Sequence, residues 1–172
     1  RDTQHIARVL VHPADPKIVF VAAIGHQNSV SEQRGVFRTQ DGGKTWSKVL
    51  YINDHTAAVD LVMDPTDAAT LYASLWQRGR NGQGNSGNES GLYKSTDGGE
   101  SWQRLSGGLP KGEHVGRIAV DIAPSSPNVL YALADEGSND GFYRSEDGGK
   151  SWARTYDKLQ ARWDWCELRV SP

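Results

Sequence analysis

Thr39-Gln40-Asp41-Gly42-Gly43-Lys44-Thr45-Trp46 is written three times in this chain. It returns as Ser95-Thr96-Asp97-Gly98-Gly99-Glu100-Ser101-Trp102 and as Ser145-Glu146-Asp147-Gly148-Gly149-Lys150-Ser151-Trp152. The aspartates stand 56 and 50 residues apart (97 − 41 and 147 − 97), and each copy follows an aromatic run: Gly35-Val36-Phe37-Arg38, Gly91-Leu92-Tyr93-Lys94, Gly141-Phe142-Tyr143-Arg144. A period in this range signals a repeat architecture, in which each unit buries its apolar face against a neighbour.

The pattern [ST]-x-D-G-G-x-[ST]-W reads as a tight turn between two strands. Adjacent glycines supply positive φ without a Cβ clash. The aspartate carboxylate accepts backbone N–H groups across the turn, and the flanking Ser or Thr hydroxyls donate to the same oxygens. The tryptophan that follows has enough area to wedge one repeat against the next.

Aligned on this turn, the chain resolves into four-strand units. The first runs through residues 5–11, 18–24, 36–39 and 47–51, the second through 57–63, 70–76, 92–95 and 102–105, the third through 115–122, 129–133, 142–145 and 152–156. A proline-marked turn separates the first two strands of each unit: His12-Pro13-Ala14-Asp15-Pro16, Asp64-Pro65-Thr66-Asp67 and Ala123-Pro124-Ser125-Ser126-Pro127. Proline cannot donate to a ladder and so ends a strand. Val-, Ile-, Leu- and Tyr-rich strands between Gly, Pro, Asn and Asp turns predict an all-β fold, and no segment sustains a helical apolar period. Four-stranded repeats of this length predict propeller blades: one array over residues 1–172, with blades over about 5–52, 56–106 and 115–157. Trp163-Asp164-Trp165-Cys166-Glu167-Leu168-Arg169-Val170-Ser171-Pro172 reads as the first strand of a fourth, over about 162–172. Since rings close with about four to eight blades, the expectation is a β-propeller segment completed by remaining blades of a longer chain or by further copies of this one.

The repeat resembles the Asp-box, or BNR, repeat of sialidases, sortilin-type receptors, xyloglucan hydrolases and photosystem assembly factors. Over essentially its whole length the chain is similar to bacterial propeller proteins described as sortilin-like or glycosyl-hydrolase-type BNR-repeat proteins. The resemblance implies that Asp41, Gly42, Gly43 and Trp46, Asp97, Gly98, Gly99 and Trp102, and Asp147, Gly148, Gly149 and Trp152 are structural. It also implies that ligands are met on the face opposite the Asp boxes, and that the protein works outside the cell or in the periplasm. The Arg-Ile-Pro segment that sialidases pair with this motif is replaced by Gly116-Arg117-Ile118-Ala119, which argues against sialidase activity.

Composition narrows the partners. A formal charge of −2 makes no electrostatic case for nucleic acid. No apolar run reaches the ~20 residues of a membrane span. The single cysteine, Cys166, reads as a small buried hydrophobe. The histidines (His5, His12, His26, His55, His114) are dispersed without metal-ligand spacing, and Gly82-Gln83-Gly84-Asn85-Ser86-Gly87 runs into a strand where a dinucleotide loop must open a helix. No metal or cofactor is expected.

Binding candidates come from the loops opposite the boxes. Trp76, at the root of the 77–90 insert, with Arg78 and Arg80 would offer an aromatic face and guanidinium donors to a sugar or an anion. His26 and His55 sit in neighbouring loops, and Trp163 is a further carbohydrate platform or an inter-blade wedge. The first strands should line the central channel, with Arg8, Asp60, Ala119 and Glu167 at equivalent positions. That register predicts an Arg8–Asp60 pair. A rival role for Asp60 and Glu167 is a carboxylate pair for glycoside hydrolysis, which needs about 5–9.5 Å between carboxyls. The expectation is thus a non-enzymatic binding or interaction propeller for a carbohydrate or protein partner, with an exported polysaccharide hydrolase as the alternative.

Overall fold

The computed structural model describes residues 3–26, 29–78, 85–135, 140–157 and 167–171. Twelve strands, and no helix among the described residues, form three antiparallel four-stranded sheets in chain order. The first contains β1 (His5–Val11), β2 (Val19–Gly25), β3 (Gly35–Thr39) and β4 (Ser47–Leu50). The second contains β5 (Thr56–Met63), β6 (Leu71–Gln77), β7 (Gly91–Ser95) and β8 (Gln103–Arg104), and the third β9 (Ile118–Ile122), β10 (Leu130–Ala134), β11 (Gly141–Ser145) and β12 (Ala153–Tyr156). Each sheet is a simple meander, so the strands lie in the order in which the chain makes them. Observed strand limits move by a residue or two from those read off the sequence; the largest shift is β9, where residues 115–117 belong to the preceding connection.

The sheets stack face on face. Phe20, Ala22, Val36 and Leu50 of the first meet Leu61, Ala73 and Tyr93 of the second. Val62, Tyr72 and Leu92 of the second meet Val120, Ala132, Tyr143 and Trp152 of the third. Neighbour-on-neighbour burial of this kind is the economy of a repeat array. The second sheet is covered on both sides, and β5 and β6 are accordingly buried along almost their whole length. Residues 167–171 form no regular strand but run beside β9, where the Val170 N–H donates to Asp121 Oδ2 at 2.8 Å. Three stacked four-stranded meanders with a partial fourth make this a β-propeller segment.

The repeated turn behaves the same way in every copy. Both glycines are left-handed: φ is 76° and 90° at Gly42 and Gly43, 68° and 85° at Gly98 and Gly99, 69° and 88° at Gly148 and Gly149. The leading hydroxyl of Thr39, Ser95 or Ser145 donates to the aspartate (2.7, 2.7 and 2.8 Å) and accepts from the second glycine's N–H at 2.9 Å each time. The trailing Thr45, Ser101 or Ser151 donates both its N–H (2.9 Å) and its hydroxyl (2.6, 2.5 and 2.5 Å) to the same carboxylate. These donors, the trailing hydroxyl foremost, hold Asp41, Asp97 and Asp147 down at about 2.

Two of the three tryptophans act as the wedge expected of them. Trp102 and Trp152 do pack into the inter-sheet cores, but Trp46 is 44% exposed. The turn itself, gripped by a basic residue of the preceding sheet, adds a second element to each joint. Arg38 Nη1 donates to Gly98 O (2.8 Å) and Lys94 Nζ to Gly148 O (2.8 Å), each reaching the Asp box of the following sheet. Tyr72 Oη adds a second donor to Gly148 O at 3.0 Å, and burial pushes that phenol up to about 12.

Candidate functional site

The Asp boxes and the proline turns share one end of the strands, since Gly42, Gly98 and Gly148 N–H groups donate to Lys17, Ala69 and Asn128 carbonyls in those turns. The opposite end carries the β2–β3 and β6–β7 loops and the connections between sheets. There the first two sheets meet around His55. Its carbonyl accepts both Arg34 Nη1 (3.2 Å) and the Arg78 N–H (3.0 Å). Arg34, only 2% exposed, also donates through Nη2 to the carbonyls of His26 (3.0 Å) and Ser29 (2.9 Å). Burial lowers its pKa, the nearby Arg78 lowers it further, and Asp54 opposes both. One guanidinium therefore pins the β2–β3 loop to the β4–β5 connection.

The rim above this anchor presents His55 and Asp54, whose side chains lie 3.4 Å apart and are both partly exposed. The Asn53 side chain braces this turn by accepting the His55 N–H (3.0 Å) and the Thr56 hydroxyl (2.8 Å). Trp76 does not offer the open face that the sequence suggested. It is 4% exposed, its Nε1–H donates to Asn85 O at 2.5 Å, and the Arg78 guanidinium lies 5.0 Å from its ring centroid. Tryptophan at the end of a strand buried on both sides is drawn into the core, and the cation covers what is left. Arg78 is itself buried. Arg80, Trp163 and Cys166 lie outside the described residues.

At the inner strands, Arg8 and Asp60 meet at 2.9 Å as the register requires. Asp60 is buried and fully committed: Oδ1 accepts Arg8 Nε and Nη2 and the Leu61 N–H, while Oδ2 accepts the Val120 N–H at 3.2 Å. Arg8, Asp60 and Val120 belong to three different sheets, so one carboxylate ties all three. Glu167 is exposed and paired with Arg169 at 2.7 Å. Glu167 thus pairs with a neighbour in its own segment, while Asp60 spends its oxygens on donors from three sheets. Among the described residues no group of His, Cys, Asp and Glu is placed to hold a metal ion.

Two sets of residues escaped the sequence reading. Arg34 looked like one polar residue of a loop, and its role depends on three carbonyls, two from its own loop and one from the β4–β5 connection. Arg38 and Lys94 had a legible signal: a basic residue precedes every [ST]-x-D-G-G, as Arg38, Lys94 and Arg144.

Comparison with known proteins agrees with this architecture. The family model described as Sortilin-Vps10 (Sortilin, neurotensin receptor 3) matches residues 33–170. A search of curated proteins finds no relative. Among solved structures, an ancestral GH74 enzyme superposes with a TM-score of 0.68 at 22% identity, over 90% of this chain and 19% of that one. The GH74 enzyme of Niastella koreensis gives 0.64 at 17% identity, over 88% and 22%. YCF48 bound to a D1 peptide gives 0.53 at 16% identity, over 89% and 40%. At these identities the likeness is one of fold, and the chain spans less than half the length of each of these structures.

Proposed function

Because the chain belongs to the Sortilin-Vps10 family, we propose that it is part of a non-enzymatic binding propeller working outside the cytoplasm. Its partner is a protein segment received on the loop face opposite the Asp boxes, at the junction of the first two blades. The observation that carries this reading is the state of Asp60. The carboxylate that sequence marked for hydrolysis is buried and saturated by donors from three blades, which is the condition of a structural pin. A general acid or nucleophile must instead reach a substrate atom. By contrast, the rim of His55 and Asp54 is accessible and stands on a backbone braced by buried Arg34, the rigid-scaffold arrangement that suits recognition. With the face of Trp76 covered, a sugar-stacking platform has less behind it than a polar peptide contact. YCF48, whose structure resembles this chain in fold, is a protein solved bound to a D1 peptide, which supports a peptide as the partner class.

The test pairs binding with turnover. The chain is screened against an immobilised peptide library and, in parallel, incubated with a polysaccharide panel read by reducing-sugar release. The reading expects peptide retention that weakens in His55→Ala and Asp54→Ala, with no sugar released. Release that disappears in Glu167→Gln or Asp60→Asn would establish a glycoside hydrolase instead.

A further inference from the structure

A cation stands two residues past the tryptophan of every Asp box: Trp46-Ser47-Lys48, Trp102-Gln103-Arg104 and Trp152-Ala153-Arg154. Ladder registers make the three equivalent. Lys48 pairs with Phe37, Arg104 with Tyr93 and Arg154 with Tyr143, the middle residues of β3, β7 and β11. All three cations are exposed on the outermost strand of their sheet and would pass for surface charge. Each is nonetheless committed to backbone. Lys48 Nζ donates to Glu32 O, Arg104 Nη2 to Ser90 O at 2.7 Å, and Arg154 Nη2 to Asp140 O. Those carbonyls belong to the β2–β3, β6–β7 and β10–β11 loops, on the face opposite the Asp boxes.

Reach and clearance account for the residue types. The acceptor lies three residues before Tyr93 and Tyr143, and five before Phe37, so a long stem ending in a cation is needed to span the gap. In the first blade that stem runs over rings, with Lys48 Nζ 5.8 Å from the Phe37 centroid and 4.0 Å from that of Tyr51. In the other two it crosses a glycine. A Cβ on Gly91 would lie 3.1 Å from Arg104 Nε, and one on Gly141 would lie 2.8 Å from Arg154 Nε, so the glycine that opens the third strand leaves the passage free.

The same loops are also held from inside. Gln77 Oε1 accepts the Glu89 N–H at 3.0 Å, Ser90 Oγ accepts the Gln77 N–H at 2.9 Å, and the Gly87 N–H donates to Val115 O. In the first blade Arg34 is the inner tie and Lys48 the outer one. We propose that Lys48 and Arg104, with Arg154 as the third instance, are positioning residues of the recognition face. Each fixes its blade's loop from the outer strand, so partner binding is set in part by a side chain that does not touch the partner. This rests on the assignment of that face to binding. Since these bonds take no part in the inter-blade cores, their loss loosens the loop and leaves the blade standing.

Hydrogen exchange read by mass spectrometry, urea midpoints and retention on the immobilised peptide library test this together. Arg104→Met keeps the stem and removes the donor. It should speed exchange over residues 85–90 by at least about tenfold, the effect of one lost charge-assisted hydrogen bond. Exchange in β6 and β7 and the urea midpoint should stay as they are. Lys48→Met should do the same over residues 29–34. Both changes should lower peptide retention, and Arg104→Lys should keep exchange and retention at the wild-type level, because Lys48 already makes this contact with an ammonium. Unchanged exchange over 85–90 in Arg104→Met would overturn the proposal. So would exchange that quickens only in step with the strands and a lower urea midpoint, or retention that survives a loosened loop. A wild-type protein that retains no peptide would defeat the peptide assignment alone, and exchange would then decide whether these cations fix the loops.

Discussion

Replacing Gly99 by alanine, with Gly43→Ala beside it, isolates what the Asp-box turn contributes to blade stacking. The two glycines occupy the same motif position and nearly the same backbone conformation, φ 85° and 90°. An L-residue held there costs about 1–2 kcal/mol at either site. What differs is the neighbour. A Cβ on Gly99 would lie 3.0 Å from Cε1 of Phe20, a fully buried ring of the preceding blade, and 3.8 Å from Leu71 Cδ1. A Cβ on Gly43 would meet only the ring of its own Trp46 at 3.8 Å. Overpacking a closed interface adds about 1–3 kcal/mol. Gly43→Ala should therefore cost about 1–2 kcal/mol and Gly99→Ala about 2–5 kcal/mol. In a chain of this size each kcal/mol lowers Tm by about 2–4 °C. Urea melts followed by tryptophan fluorescence, at a concentration where light scattering finds only monomer, give the comparison. Phe20→Leu combined with Gly99→Ala should recover part of the loss in a double-mutant cycle, since it makes room for the new methyl. Equal costs at Gly43 and Gly99, or strict additivity with Phe20→Leu, would refute the claim that the turn bears on the preceding blade.

Three further expectations follow from the same joints. Asp60→Ala strands the Val120 and Leu61 N–H groups and the Arg8 guanidinium, and should destabilise by about 2–4 kcal/mol, with Asp60→Asn milder because an amide oxygen still accepts; urea midpoints measure both. Lys94→Ala and Tyr72→Phe each remove one donor from Gly148 O and should cost about 1–2 kcal/mol apiece. Their combined cost should differ from the sum, because the survivor of each single change still serves that carbonyl. Acid should act through the boxes. Asp41, Asp97 and Asp147 titrate at about 2 when folded, below the ~3.9 of an unfolded chain. Depressed carboxylates stabilise fully above the unfolded value, and that stability is lost as pH falls from about 5 toward 2. Thermal melts across this range should show the loss, and it should be shallower in a variant carrying Asn at all three positions.

The boundary between what could be read and what had to be seen follows the range of the interactions. The Asp-Gly-Gly turn was legible because it is closed on itself: two left-handed glycines, one carboxylate and two hydroxyls within seven residues define its geometry without tertiary help. Repetition of that turn with its aromatic run then set the strand order, and aligning the repeats placed Arg8 against Asp60 across two blades. Trp76 is the instructive failure. A tryptophan beside two arginines at a loop root reads as a ligand platform, but its surroundings are decided by Ile24 of the first blade and by Ala57 and Val59 of β5. Those bury the ring, and Arg78, two residues on, lies over it. Arg34 was unreadable for the related reason that its acceptors are backbone carbonyls, which leave no mark in a sequence. Local hydrogen-bonding chemistry and its period thus determined the blade and its repetition. Which side chains face solvent and which carboxylate is a pin were decided by stacking, where burial depends on a neighbour about fifty residues away.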